Sequence, residues 1–109
     1  MGMIAITVDS PDLDSRIEPR FGRAAHLVLV DPDTMAWQPM SNPDWDRLGL
    51  AGVRIVEALK DRDVTEVVSG QFGPRATDAL AAARITPHRF ESGATAREAV
   101  ESLKAEIVS

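Results

Sequence analysis

Cysteine is absent from the 109 residues. That excludes a disulfide framework and any thiolate-ligated zinc or iron–sulfur centre. Lysine is scarce: of 12 basic residues ten are Arg, leaving only Lys60 and Lys104. No apolar run approaches the roughly 20 residues that span a bilayer. The N-terminus lacks a basic region followed by a long apolar segment, so neither a membrane partner nor a signal peptide is expected. An excess of positive charge is missing as well. A net charge of −5 argues against general nucleic-acid affinity, which needs a basic face to neutralise phosphates. The expectation is a cytoplasmic chain forming a single domain over residues 1–109. Its 44% hydrophobic and 27% charged residues are ordinary globular composition, and its length suffices for a core without metal or disulfide staples.

What is present is ordered as strands first and helices later. Met3 to Val8 is a short, almost continuously apolar run and reads as a central strand covered on both faces. Asp9 to Arg23 is a long polar connection, of a length usually associated with function or mobility. Ala25 to Asp31 reads as a second strand. The turn Asp31-Pro32-Asp33-Thr34 leads to a third over Thr34 to Met40, where Pro39 indicates an edge. After the loop Ser41–Gly49 the apolar period becomes helical from Leu50 to about Arg62. Thr65 to Ser69 is a strand, Gly70 to Gly73 a turn, and Pro74 opens a helix running to about Arg84. Ile85 to Phe90 is a strand demoted to an edge by Pro87. Thr95 and Glu98 form a capping box for the last helix, with Ala96, Val100, Leu103 and Ile107 as its buried stripe. The order β-β-β-α-β-α-β-α predicts an α/β fold with three helices. Its mixed five-stranded sheet is ordered 3-2-1-4-5, with strand 2 antiparallel and helices on both faces.

That topology sets strands 1 and 4 side by side and parallel. Their exits feed the Asp9–Arg23 and Ser69–Gly73 segments, and ligands on α/β sheets usually bind beyond such strand ends. The first segment carries Glu18-Pro19-Arg20-Phe21-Gly22-Arg23, with Arg16 just upstream. Arginine presents a rigid fork of donors suited to polyanions. The alternative for this stretch is a solvated loop whose Phe21 plugs the core. Gly73 to Ala76 opens a helix, where amides and the macrodipole favour an anion; an ordinary strand-to-helix turn is the plainer reading. His26 and His88 fall on strands and read as packed or surface residues. Asp9 and Asp31 could suggest a two-metal nuclease, but antiparallel strands carry them to opposite ends of the sheet. Asp12, Asp14 and Glu18 read as a solvated acidic loop. Neither a nucleophile–histidine grouping nor a Walker loop is visible, so no catalytic or metal-ligating residue is assigned.

Several segments together resemble the NifX/NafY/NifB C-terminal family, the dinitrogenase iron–molybdenum cofactor biosynthesis domain. They are Ile4-Ala5-Ile6, Arg20-Phe21-Gly22-Arg23-Ala24-Ala25 leading into Leu27-Val28-Leu29-Val30-Asp31, and Gly49 with Gly52. Val67-Val68-Ser69-Gly70-Gln71-Phe72-Gly73-Pro74 and Ser92-Gly93-Ala94-Thr95 with Glu98-Ala99 complete the set. The resemblance covers almost the whole chain and implies an RNase H-like fold. It also implies binding or carriage of molybdenum- or iron-containing sulfide clusters during cofactor assembly. One small stand-alone member holds a molybdenum–copper sulfide cluster without covalent protein ligands, and a cysteine-free chain resembles that case more than the nitrogenase accessory proteins. Members that ligate through histidine often read His-Phe-Gly. Here Arg20 replaces that histidine, which removes imidazole ligation and leaves charge pairing.

The expected function is thus a non-catalytic carrier of a molybdenum-containing sulfide cluster, Mo–Cu or Mo–Fe, which purified protein need not retain. A protein donor or acceptor of the cluster is its implied partner. A phosphate- or nucleotide-binding regulatory protein or an adaptor is the alternative, and a metal-dependent nuclease the weaker one. The candidate cofactor-binding residues are Arg16, Arg20, Phe21, Gly22 and Arg23 on the first loop, and Trp45 and Arg47 on the second. Gly70, Gln71, Phe72, Gly73 and Arg75 at the third complete them. Two further expectations accompany this site. The first loop, with few apolar residues to hold it, should be mobile when empty. Arg62 and Arg97, on predicted helices, should be irrelevant to binding.

Overall fold

The computed structural model describes residues 2–42, 51–91 and 93–108. Met3–Val8 forms β1, His26–Val30 β2 and Trp37–Ser41 β3. They are followed by α1 (Ala51–Lys60), β4 (Val64–Ser69), α2 (Pro74–Ala82), β5 (Thr86–Arg89) and α3 (Ala96–Val108), and a 3-10 turn at Phe21–Arg23 precedes β2. The sheet order is β3-β2-β1-β4-β5, as the element order predicts. β2 is antiparallel to β1 and β3, while β4 is parallel to β1 and β5 to β4.

From Ile4 to Val8 every residue of β1 is at most 1% exposed, which only a strand covered on both faces can achieve. Alternation along the strands divides the apolar side chains into two cores. Ala5, Leu27, Leu29 and Val67 pack against Ile55, Val56 and Leu59 of α1 and Ala76 and Leu80 of α2. Ile4, Ile6, Val8, Val28, Val30 and Val68 pack against Ala96, Ala99, Val100 and Leu103 of α3. Pro39 and Pro87 sit on the two edge strands, where a missing N–H interrupts no ladder.

The third strand begins three residues later than the sequence suggests. Met35 adopts a left-handed φ of 64°, its N–H bonds the Asp31 carbonyl at 2.7 Å, and the Asp31 N–H bonds the Ala36 carbonyl at 2.8 Å. The turn therefore runs through Ala36, and pairing starts with Val30 opposite Trp37. α2 ends in a Schellman motif: the Ile85 N–H bonds the Leu80 carbonyl and the Arg84 N–H that of Ala81. Arg84 takes the left-handed position, with φ 60°. α3 opens on the predicted capping box, with the Thr95 N–H on Glu98 Oε1 at 3.1 Å and the Glu98 N–H on Thr95 Oγ1 at 3.2 Å.

The segment between β1 and β2 departs most from expectation. Leu13, Ile17 and Phe21 are each at most 2% exposed. The first two join the α3-side core and Phe21 the other, each burial contributing about 1.5–3 kcal/mol. Its carbonyls at Leu13 and Ser15 accept the Arg97 and Ala96 N–H groups at the start of α3, at 2.9 and 3.0 Å. The expectation of a loosely held loop is therefore wrong, because three apolar side chains spaced four apart anchor it to both cores.

Over the ends of β1 and β4 the segment is locked by two buried hydroxyls. Thr7 Oγ1 and Ser69 Oγ are 2.8 Å apart, and each reaches the Glu18 carbonyl, at 2.9 and 3.2 Å. Both residues are fully buried, so one hydroxyl donates to the carbonyl and the other to its partner. Immediately after, Gly70 meets Pro19. A Cβ at Gly70 would lie 2.7 Å from the Pro19 Cα and carbonyl oxygen, closer than any real contact.

Gly70→Ala should accordingly destabilise by about 1–3 kcal/mol as the Pro19 segment is displaced, read as a lowered denaturation midpoint. Arg84→Gly should raise the midpoint by about 1 kcal/mol, because glycine adopts the left-handed position without the Cβ penalty. An Arg84→Gly protein no more stable than the parent would show that the α2 terminus carries no strain.

Candidate functional site

The rim beyond the exits of β1, β4 and β5 is built from backbone outward. The Gln71 N–H bonds the Pro19 carbonyl at 2.7 Å, and the Phe21 N–H bonds the Gln71 carbonyl at 3.1 Å. Arg20 and Gln71 thus pair as a short parallel bridge, stitching the first loop to the turn after β4. Below this bridge the Phe21 and Phe72 rings lie 5.2 Å apart at 41°, a favourable tilted arrangement. Phe21 is 1% exposed, so it plugs the core and offers no wall to a ligand. Phe72, half-buried, is the aromatic surface at the rim. Arg20 caps and Arg23 ends the 3-10 turn of Phe21–Arg23, and both are exposed.

Of the sequence-derived candidates, Arg20, Phe21, Gly22 and Arg23 are thereby joined to Gly70, Gln71, Phe72 and Gly73. Gly73 is the N-cap of α2 in extended conformation (φ −70°), with no side-chain cap. A Cβ there would meet nothing within 4 Å, so glycine is not forced by strain; its absent side chain leaves the helix start bare. Pro74 and Arg75 form the first turn. Arg16 stands apart: it bridges Thr95 at the α3 entrance, and its carbonyl accepts the Asp9 N–H at 3.0 Å. Trp45 and Arg47 lie outside the described residues.

Charge pairing separates the arginines. Arg97 is clasped to Asp14, Nε to Oδ1 at 2.7 Å and Nη2 to Oδ2 at 3.4 Å. Its hydrogen bond holds the exposed Asp14 carboxyl below its ordinary pKa against an opposing desolvation, with its charge adding a lesser pull in the same direction. This side chain ties the first loop to α3, so reversing its charge would disturb that loop and Arg97 is no clean control for binding. Arg62 lies just past the end of α1 and remains a suitable control. Among the described residues Arg16, Arg20 and Arg23 pair with no carboxylate. The Glu18 carboxylate is engaged by the Arg20 backbone N–H at 3.3 Å.

The other chemistries weighed from the sequence find little support in the geometry. Ile4 opposes Val30 and Val8 opposes His26, so Asp9 and Asp31 leave opposite ends of the sheet. Among the described residues no three His, Asp or Glu side chains gather to hold a metal ion. His88 faces Glu66 at 3.1 Å across β5 and β4. No described helix is long and apolar enough to cross a membrane.

Two grooves flank Gln71. One, of about 500 Å³, is lined by Pro19, Gly70, Gln71, Phe90 and Glu91. The other, of about 350 Å³, is lined by Gln71, Phe72, Thr77, Pro87 and Arg89. The β5 contribution to this rim went unnoticed in the sequence. The parallel order 1-4-5 was the available signal, since it brings the exit of β5 beside that of β4. This assembly offers guanidinium groups, an amide and one aromatic face, a set suited to holding an anion.

A family model described as dinitrogenase iron-molybdenum cofactor matches residues 2–106. Among solved structures, the apo form of the orange protein from Desulfovibrio gigas is 36% identical, with a TM-score of 0.91 over 97% of this chain and 89% of that one. A putative NifB protein from Thermotoga is 28% identical, with a TM-score of 0.83 over 96% of this chain and 89% of that one. No curated protein matches significantly. With nearly its full length matched and its sheet order shared with the orange protein fold, the chain belongs to the dinitrogenase iron–molybdenum cofactor family, the NifX- and NifB-like proteins.

Proposed function

We propose that the protein is a non-catalytic binder and carrier of a molybdenum-containing sulfide cluster, Mo–Cu or Mo–Fe, held through charge and hydrogen bonds. The observation that carries this reading is that Arg20 and Arg23, exposed at the rim, pair with no carboxylate among the described residues. A sulfide cluster of this kind is a polyanion with polarisable faces, here taken as cargo. The chain has no cysteine, and the described residues hold no histidine–carboxylate cluster that could ligate it. Arg20 and Arg23 supply directed cationic donors, Phe72 a flat surface, and the uncapped start of α2 a favourable partial charge. Gly22 and Gly73 leave room for close approach. Arg75, in the first turn of α2, adjoins this surface. Arg16 stands apart from it at the α3 entrance. Trp45 and Arg47, outside the described residues, remain assigned to it on sequence grounds alone. A locally positive rim on a chain of net charge −5 attracts an anion without general affinity for nucleic acid. Family membership supports a role linked to the iron–molybdenum cofactor, which implies a protein that donates or receives the cargo.

Anaerobic titration with tetrathiomolybdate, followed by its visible absorption, tests the assignment. Charge reversal at Arg20 or Arg23 should weaken binding by about 1–3 kcal/mol, whereas Arg62→Glu should change it little. Equal losses from all three would mean that only net charge matters and that the site is misplaced. Gly73→Asp offers a second check. A carboxylate N-cap should stabilise α2 by a few tenths of a kcal/mol, about the usual difference from glycine, while weakening anion binding. Tight nucleotide binding without any thiomolybdate binding would favour the phosphate-binding alternative.

A further inference from the structure

β5 brings another cation to the rim. We propose that Arg89 is a binding residue and that the groove between α2 and β5 is a subsite for a tetrahedral dianion of the oxo- or thiometallate class. It adjoins the Arg20 side of the rim across Gln71, and it rests on reading that rim as a polyanion site.

Register places the residue. Val67 opposes Pro87 and Ser69 opposes Arg89 in the parallel β4–β5 pair, so Pro87 and Arg89 fall on the α2 side of the sheet with Val67. Arg89 is the last residue of its strand and is exposed. Its Nε reaches the Gly70 carbonyl at 3.5 Å, the outer limit of hydrogen bonding. That contact directs the guanidinium toward the Gly70–Gln71 turn and leaves the terminal amino groups for a ligand. No carboxylate pairs with Arg89 among the described residues, in contrast to Arg97 with its Asp14 clasp.

The two grooves beside Gln71 differ in charge. Among the described residues, the one containing Pro19 and Phe90 is lined by Glu91 and no arginine, whereas the one containing Phe72 and Pro87 is lined by Arg89 and no carboxylate. An anion is therefore directed to the second. Both backbone groups of Gln71 are used by the first loop, which leaves its side-chain amide as a donor. The Thr77 hydroxyl already donates to the Gly73 carbonyl at 2.9 Å, so Arg89 and Gln71 are the donors, with Phe72 and Pro87 as apolar walls. Such a site favours a compact, polarisable dianion over an extended chain of phosphates.

Titration of the full chain with tetrathiomolybdate and, separately, with molybdate tests this. Arg89→Gln should weaken tetrathiomolybdate binding at least about tenfold, as expected for a lost charge-assisted contact, and Arg89→Lys should restore part of it. Arg84→Gln, about 15 Å away at the other end of β5 and beyond the screening length, should stay within about twofold. In the unmutated protein, NMR should show the Gln71 side-chain amide and Arg89 Nε–H shifting on addition of the probe. Weaker binding of molybdate than of tetrathiomolybdate would assign the subsite to the thio form, and the reverse to the oxo form. Wild-type affinity in Arg89→Gln together with a loss in Arg20→Glu would overturn the subsite while sparing the polyanion rim. No binding of either probe by the parent protein would remove the rim reading and the subsite with it.

Discussion

Two buried hydroxyls, Thr7 on β1 and Ser69 on β4, hold the Glu18 carbonyl over the ends of the central strands. In an α/β sheet this is the crevice where ligands usually enter. Here the chain fills it with its own first loop. Leaving that carbonyl buried without donors would cost about 1–3 kcal/mol, and the loop has no slack to find others. Pro19 is pressed on Gly70, and the next residues are bridged to Gln71. The consequence is a displaced candidate site. The outer surface of this plug, where Arg20, Arg23, Gln71 and Phe72 are carried by locked backbone, is the surface proposed to meet a ligand. Such preorganisation favours holding a cargo of fixed shape, because little ordering cost remains at binding.

Electrostatics divides the remaining arginines by task. Arg97 serves the fold by clasping Asp14. The lowered Asp14 pKa gives this clasp a direction with pH: its contribution is complete above the unfolded value near about 4 and is lost as pH falls through the folded value. Both side chains are exposed, so the effect is small. Arg20, Arg23 and Arg89 have no such partner among the described residues. An exposed guanidinium without a counter-ion is unremarkable singly. Several around one rim, on an acidic chain, form a local field that attracts anions of matching size.

The topology was legible because β1 is apolar at nearly every position and the later elements announce themselves through Pro74, Thr95 and Glu98. The site was legible in part, since strand order brings the Arg20 and Gln71 segments together. Four features escaped for distinct physical reasons. Leu13 and Ile17 are separated by charged residues, so no strand period reveals that they anchor the loop to the α3-side core; the burial of Phe21 was one of the two readings its sequence allowed. The left-handed Met35 lengthens the hairpin turn without a glycine to mark it. Arg89 sits in a strand too short and too proline-weakened to draw notice, and Arg97 finds Asp14 only once the loop has folded over α3. Family resemblance supplied the nature of the cargo, which residue pattern alone left open between sulfide cluster and phosphate.

The central claim is that the plugged rim holds a molybdenum–sulfur polyanion without protein ligands. Metal and sulfide analysis with a visible spectrum, on protein isolated anaerobically from cells grown with molybdate, tests it most directly. The account predicts molybdenum and acid-labile sulfide in fixed ratio to protein, with a visible chromophore that is released intact at high salt. Colourless protein free of molybdenum, carrying a nucleotide or phosphate instead, would contradict it.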